Sequence, residues 1–414
     1  MNDCQVLSPH MKEFSKILEA EAYLQKIPLN GVFELTARCN FNCNMCYVHL
    51  QEEQIAGIGR ELTNEEWLEI ARQARDAGML YLTLTGGEVF TRPGFKELYI
   101  ELSKMGFLIH ILSNGYLIDE NVMEWLREYP PYSVRFTLYG SNNEVYEAVC
   151  GVKNGFDRVS HAIDLILEAG IPFHMVGTIV KENQDDLPMM YRFAKSKKVF
   201  FDYTIALVQP VRGATADVNK HKITNQDLLE AYPMKVKPVE RLFEKVTSIL
   251  DNCAAYRKSF WLTWNGNLQL CSFTDQPAVS ILNHTFSEAW NQLLERLGEI
   301  KLPEKCTDCK YEGFCKKCPG ILCAECGSCE NVTDAFCEEV KALYNKSSQP
   351  ASMGVVGSRG SAGAKAGEGG KDAPLPGTLR EGSGVRHSTG GPSGRVEVEP
   401  ITSRPWQPGR SGSR

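Results

Sequence analysis

No stretch of this 414-residue sequence approaches the ~18 consecutive apolar residues that a membrane-spanning helix takes, so none is expected to sit in a bilayer. A basic surplus is also missing. Lys and Arg number 45 against 51 Asp and Glu, a net charge of −6, which leaves no electrostatic footprint for DNA or RNA. The first residues, Met1-Asn2-Asp3-Cys4-Gln5, show no basic n-region followed by an apolar h-region, so no secretory signal is read. These absences lead us to expect a cytoplasmic protein with neither a nucleic-acid nor a membrane partner. The length suffices for two domains and a large buried core.

What the chain does have is cysteine, fifteen of them. In a reducing compartment such a number points to metal ligands rather than disulfides. Three stand together as Cys39, Cys43 and Cys46, in the run Arg38-Cys39-Asn40-Phe41-Asn42-Cys43-Asn44-Met45-Cys46-Tyr47. A [4Fe–4S] cluster takes four thiolates, so three leave one iron without a protein ligand. An open coordination position is what a catalytic metal site keeps and a structural one closes. The same residues with His49 also satisfy the spacing of a Cys3His zinc site, which remains the alternative.

From Gly31 the pattern alternates. Apolar runs rich in β-formers fall at 32–36, 79–85, 107–112, 133–138, 173–180 and 200–207. Helix-period stretches lie between them at Asn64–Asp76, Phe95–Met105, Asp119–Glu128, Phe156–Ala169 and Asp185–Lys195, and Gly78, Gly106 and Gly170 close three of these. A further helix, Lys12–Leu24, occupies a short lead-in over residues 1–30. Six strand–helix units predict a parallel sheet with helices outside, an α/β fold closed only part-way to the full eight-unit barrel. The polar motifs follow strand ends, where α/β barrels carry their active sites: Cys39–Cys46 after the first, Thr85-Gly86-Gly87-Glu88 after the second, Ser113-Asn114-Gly115 after the third, Tyr139-Gly140 after the fourth. Beyond about 240 the alternation stops, and ten of the fifteen cysteines lie between Cys253 and Cys337. From 346 to 414 the chain turns to Gly, Ser, Pro and Arg, holds 15 of the 35 glycines and has no apolar periodicity, so disorder is expected there.

The triplet resembles the CxxxCxxC signature of radical S-adenosylmethionine (SAM) enzymes, and Gly86-Gly87-Glu88 resembles their GGE motif. The resemblance implies a partial (β/α)6 barrel over 31–240. A [4Fe–4S] cluster would be held by Cys39, Cys43 and Cys46, with SAM on its open iron, cleaved reductively to a 5′-deoxyadenosyl radical. It implies SAM contacts from Gly86, Gly87 and Glu88, the last accepting from the SAM amino group, and from Ser113 and Asn114. The family's aromatic residue before the third cysteine is here Met45, with Tyr47 after it instead.

Residues 241–345 resemble the seven-cysteine SPASM domain of many such enzymes. Twelve residues separate Cys253 from Gly266 and four separate Gly266 from Cys271; then follow Cys306-x2-Cys309-x5-Cys315-x2-Cys318 and Cys337. The Cys315–Cys318 gap is one residue short of the family pattern. By resemblance, two auxiliary [4Fe–4S] clusters are implied, one on Cys306, Cys309, Cys315 and Cys337, the other on Cys253, Cys271 and Cys318. Cys323 is a rival for the role of Cys318, and Cys326 and Cys329 have no place in the pattern. Cys4 and Cys150 are read as plain thiols. The function implied is hydrogen abstraction for oxidative modification or cross-linking of a ribosomal peptide or protein, with a flavodoxin or ferredoxin as electron donor. Two alternatives stay open: a radical SAM enzyme acting on a small molecule or cofactor precursor, and a non-catalytic zinc or Fe–S interaction protein.

Overall fold

The computed structural model describes residues 9–232, 234–236, 248, 250, 253, 255–301, 303–315, 318–347 and 398–400. The start of the lead-in, the boundary expected near 240 and nearly all of the tail expected to be disordered lie outside the described residues. Strands Asn30–Glu34 (β1), Tyr81–Thr85 (β2), Leu108–Ser113 (β3), Ser133–Leu138 (β4), Phe173–Thr178 (β5) and Phe200–Thr204 (β6) pair in parallel, each with the next. Between and around them run Pro9–Gln25 (α1), Glu52–Ile58 (α2), Asn64–Asp76 (α3), Phe95–Lys104 (α4), Glu120–Glu128 (α5), Asn143–Cys150 (α6), Gly155–Glu168 (α7) and Leu187–Ser196 (α8).

The causes are local. Both β1 and β2 are buried along their whole length, as strands covered on both faces must be. Helix α3 opens with a reciprocal cap in which Thr63 and Glu66 satisfy each other's backbone N–H. It buries Trp67, Ile70, Ala71 and Ala74, the i, i+3, i+4, i+7 stripe of an amphipathic helix. Gly78, Gly106 and Gly170 end their helices at positive φ (106°, 87° and 68°), where a side chain would be strained.

The sheet does not stop at six strands. After Asn225–Ala231 (α9) and Met234–Val236 (β7) come Ser259–Leu262 (β8), Asn267–Gln269 (β9) and Ala278–Ser280 (β10). These extend it to nine strands in the order β10-β9-β8-β1-β2-β3-β4-β5-β6. Strand β8 lies parallel to β1, with Asn30 opposite Ser259 and Phe33 opposite Leu262, while β9 and β10 return antiparallel. The cysteine-rich region is thus joined to the barrel through the edge of β1. Helix Phe286–Gly298 (α10) secures the join: the Phe286 N–H donates to Gln73 Oε1 at 2.8 Å, and Trp290 Nε1 donates to the Lys26 carbonyl at 2.7 Å. Phe260 packs at 5.0 Å on Phe286 and at 6.3 Å on Phe33, so one core runs through both parts. Helices Pro319–Cys326 (α11) and Asp334–Ser347 (α12) follow, and Val398–Pro400 (β11) pairs antiparallel with β7.

Candidate active site

The loop after β1 is fixed at both ends. At its start Arg38 forms a fork onto Glu52, with Nε to Oε1 at 2.7 Å and Nη2 to Oε2 at 2.9 Å, and reaches Glu61 at 2.5 Å. Further on, the loop rests on the end of α6. The Asn42 and Asn44 N–H groups donate to the carbonyls of Cys150 and Val149 at 3.1 and 3.0 Å, and Asn44 Nδ2 donates to the Ala148 carbonyl. This brings Cys39, Cys43 and Cys46 together, all partly exposed. Burial first, then neighbouring acids and thiols, raises the Cys39 thiol well above its usual range; burial followed by Cys43 pushes Cys46 up to about 11. Three thiols in a partly open loop, two of them raised by burial and by their thiol neighbours, form a donor set that a cationic cluster would relieve.

The glycines of the GGE turn are tightly packed. Their close approach is to the chain itself. The Gly87 N–H donates to the Thr36 carbonyl at 2.8 Å, and the Glu88 N–H to the Arg38 carbonyl at 2.9 Å. A Cβ at Gly86 would stand 2.6 Å from Thr36 O, and one at Gly87 would collide with Arg38 O. The turn is therefore laid against the backbone that leads into the cysteine loop, and glycine is needed for that contact.

Glu88 is enclosed, at 1 % exposure. Its Oε1 accepts from Ser113 Oγ at 2.9 Å and from the Phe90 N–H at 3.2 Å, and its Oε2 from the Asn114 N–H at 2.7 Å. Burial pushes its pKa up to about 7 against the pull of these three donors. Glu88 thus ties the β2 turn to the β3 turn before any ligand arrives. Asn114 in turn donates from Nδ2 to Asn40 Oδ1 at 2.8 Å, 3.8 Å from Cys39 Sγ. Glu88, Ser113, Asn114 and Cys39, widely spaced in sequence, form one connected group at the strand ends. Met45 is buried in the core; the rings at this mouth are Phe41, Tyr116 and Tyr139, with Phe41 5.5 Å from Tyr116 and 6.3 Å from Tyr139. After β5, Asn183 holds the carbonyls of Tyr139 and Thr178 at 2.8 and 3.0 Å.

The second cysteine field separates into groups. Cys253, Cys271 and Cys318 are all buried, and the charges of Cys271 and Cys253 add to burial in raising the Cys318 thiol. Burial, then Cys253, pushes Cys271 up to about 12. A Cβ at Gly320 would stand 2.8 Å from Cys271 Sγ, which brings the start of α11 onto this group. Cys306, Cys309, Cys315 and Cys337 line one small cavity of about 30 Å³ with Leu322 and Phe336. Cys323 stands against Cys329, their Cα atoms 4.2 Å apart, and Cys326 lies 3.8 Å from Thr333 Oγ1. Cys318 thus lies beside Cys253 and Cys271.

The profile of the radical SAM superfamily matches residues 33–194, the span that carries every motif of the barrel mouth. This part of the chain is a radical SAM domain. The sporulation killing factor maturation protein SkfB of Bacillus subtilis (strain 168) is 24 % identical over 69 % of this chain and 70 % of its own length. A PqqA peptide cyclase of Granulibacter bethesdensis is 31 % identical over 41 % of this chain and 44 % of its own. Among solved structures, Streptococcus suis SuiB bound to its precursor peptide SuiA superposes with a TM-score of 0.57 at 18 % identity, covering 82 % of this chain and 83 % of that one. Radical SAM enzymes use a [4Fe–4S] cluster and SAM, and the thiol triplet fits the first of these.

Three features of this radical SAM site escaped the sequence reading. Cys150, buried in the last turn of α6, is hydrogen-bonded to Cys43. The Tyr47 phenol is hydrogen-bonded to the Ser272 side chain and its ring meets Phe273 at 5.4 Å, so the residue after Cys46 touches the residues after Cys271. Glu34, at the end of β1, accepts at Oε2 from Trp261 Nε1 (2.8 Å) and from Arg212 Nη2 (3.0 Å). A glutamate closing an apolar strand was the available signal for the last, since a buried charge needs a partner.

Proposed function

We propose that this chain is a peptide-modifying radical SAM enzyme. Cys39, Cys43 and Cys46 would hold the SAM-binding cluster, the group of Cys253, Cys271 and Cys318 one auxiliary cluster, and the four cysteines around the small cavity another. The observation that carries the reading is the convergence of the thiol triplet with Asn114 and the Glu88-bound turns at one strand-end mouth. The names of relatives that mature or cyclise peptides support the substrate class.

When bound, the cluster supplies the electron that cleaves SAM. The protein's own residues do the rest. Glu88 fixes the two turns that frame the ligand, and Gly86 and Gly87 seat the first of them on the cysteine loop. Asn114 orients the loop beside Cys39, and Phe41, Tyr116 and Tyr139 wall the mouth against water. The domain limits expected from the sequence, 31–240 and 241–345, are kept as functional units, although they share one sheet. A flavodoxin or ferredoxin is the electron donor, and the cytoplasm, where thiolates stay reduced, is the location.

The test uses anaerobically prepared, reduced protein with SAM and each small peptide encoded beside its gene. The expected product is 5′-deoxyadenosine together with a peptide lighter by two hydrogen atoms. SAM cleavage with no mass change in any such peptide would point to a small-molecule substrate instead.

A further inference from the structure

A cavity of about 310 Å³ opens at the rim of the barrel mouth, beside the SAM site but outside it. Because β8 runs parallel to β1, the turn that follows it emerges at the same end of the sheet as the cysteine loop. The cavity lies against that turn and β9, bounded by Ile58 at the end of α2, Arg212 and Gly213 after β6, and Asp275 and Gln276 before β10. It is tied to the site on two sides. The Val211 N–H donates to the Tyr47 carbonyl at 3.0 Å, and Gln54 Nε2 donates to the Gly213 carbonyl at 3.2 Å.

Its chemistry is specific. Asn265 Oδ1 is used within the turn, accepting from Thr263 Oγ1 at 2.7 Å and from Asn267 Nδ2 at 3.2 Å. That leaves Asn265 Nδ2 as a donor, Asn267 Oδ1 as an acceptor and the Gln276 carboxamide as both, none of them bonded among the described residues. Donors and acceptors interleaved in this way match a polypeptide backbone, which presents N–H and C=O groups in alternation. The apolar wall is Ile58, 42 % exposed and free to cover a side chain. The charge is one-sided. Arg212 faces the cavity, but its guanidinium is matched by buried Glu34 at 3.0 Å. The same guanidinium also lies 3.8 Å from Asp275, so one cation faces two carboxylates and one negative charge is left over; Asp275 also accepts the Arg212 backbone N–H at 3.0 Å, and its side chain remains 47 % exposed.

We propose that this rim cavity binds an extended segment of the peptide substrate and prefers a basic to an acidic side chain facing Asp275. The proposal rests on the peptide-modifying reading above. A volume near the lower end of ligand pockets suits one or two residues of such a segment, enough to hold it at the mouth.

A random-peptide display library, selected on full-length, cluster-loaded protein under anaerobic conditions, is the probe. Wild-type protein should enrich peptides carrying Lys or Arg. Those peptides should bind Asp275→Asn and Ile58→Arg at least tenfold more weakly. Both variants change exposed side chains, and iron content equal to wild type confirms that each is folded. Peptides that bind all three proteins equally, binders that are acidic, or no enrichment would each overturn the proposal. Wild-type SAM cleavage, measured in parallel, separates the two levels: if it is absent the enzymatic reading fails, and if it is present while the selection fails, only the cavity assignment falls.

Discussion

Glu88 shows how a residue can be recognised in sequence and its surroundings missed. Its motif placed it after β2 at the barrel mouth, and it is there, but nothing local could show that Ser113 and Asn114, one β-unit later, would take up its oxygens. The same is true of Gly86 and Gly87. Two glycines signal close approach; only the fold reveals that the approach is to Thr36 and Arg38. The raised pKa of Glu88 has a consequence for stability. Unfolded, the carboxyl loses its proton near the usual 4.5; folded, it keeps it up to about 7. In that window the folded state binds more protons than the unfolded one, so stability falls as pH rises from 4.5 towards 7. Glu88→Gln, neutral at every pH, should remove that part of the slope. Anaerobic thermal melts across this range should show a steeper fall for wild type than for the variant, and parallel slopes would mean that Glu88 is not held protonated.

At the scale of elements, the six parallel strands and five of their helices were legible because each has a clean period and a glycine or polar stop. The short helices α2 and α6 were not; at 7 and 8 residues they carry too little periodicity to stand out from loop. Strand β8 was hidden for the same reason, with 4 residues in a region read for its cysteines. Yet β8 covers the edge of β1 and buries Phe260 against Phe33 and Phe286. A barrel truncated after residue 232 should therefore leave β1 as a bare apolar edge. We expect such a protein to aggregate, read by size-exclusion chromatography. A monomer with a cooperative melt would show that β8 is dispensable to the barrel.

Over the whole molecule, cysteines far apart in sequence collect into the mouth triplet, the buried group of Cys253, Cys271 and Cys318, and the four around the small cavity. Their spacing made the grouping readable, because each set repeats a known ligand run. The contact between the first two sets was not readable. It depends on Tyr47 meeting Ser272 and Phe273 across the fold, and that meeting exists only once β8 and β9 have joined the sheet. The central claim is that the mouth triplet alone holds the SAM-cleaving cluster. The most direct measurement is 5′-deoxyadenosine formation from SAM by anaerobically reconstituted, reduced protein, with iron counted in the same samples. Wild type should contain about twelve irons and form 5′-deoxyadenosine. The combined variant Cys39→Ala, Cys43→Ala, Cys46→Ala should keep about eight irons on the other two sets and form none. If the triple variant still forms 5′-deoxyadenosine, the active cluster lies elsewhere and the account is wrong.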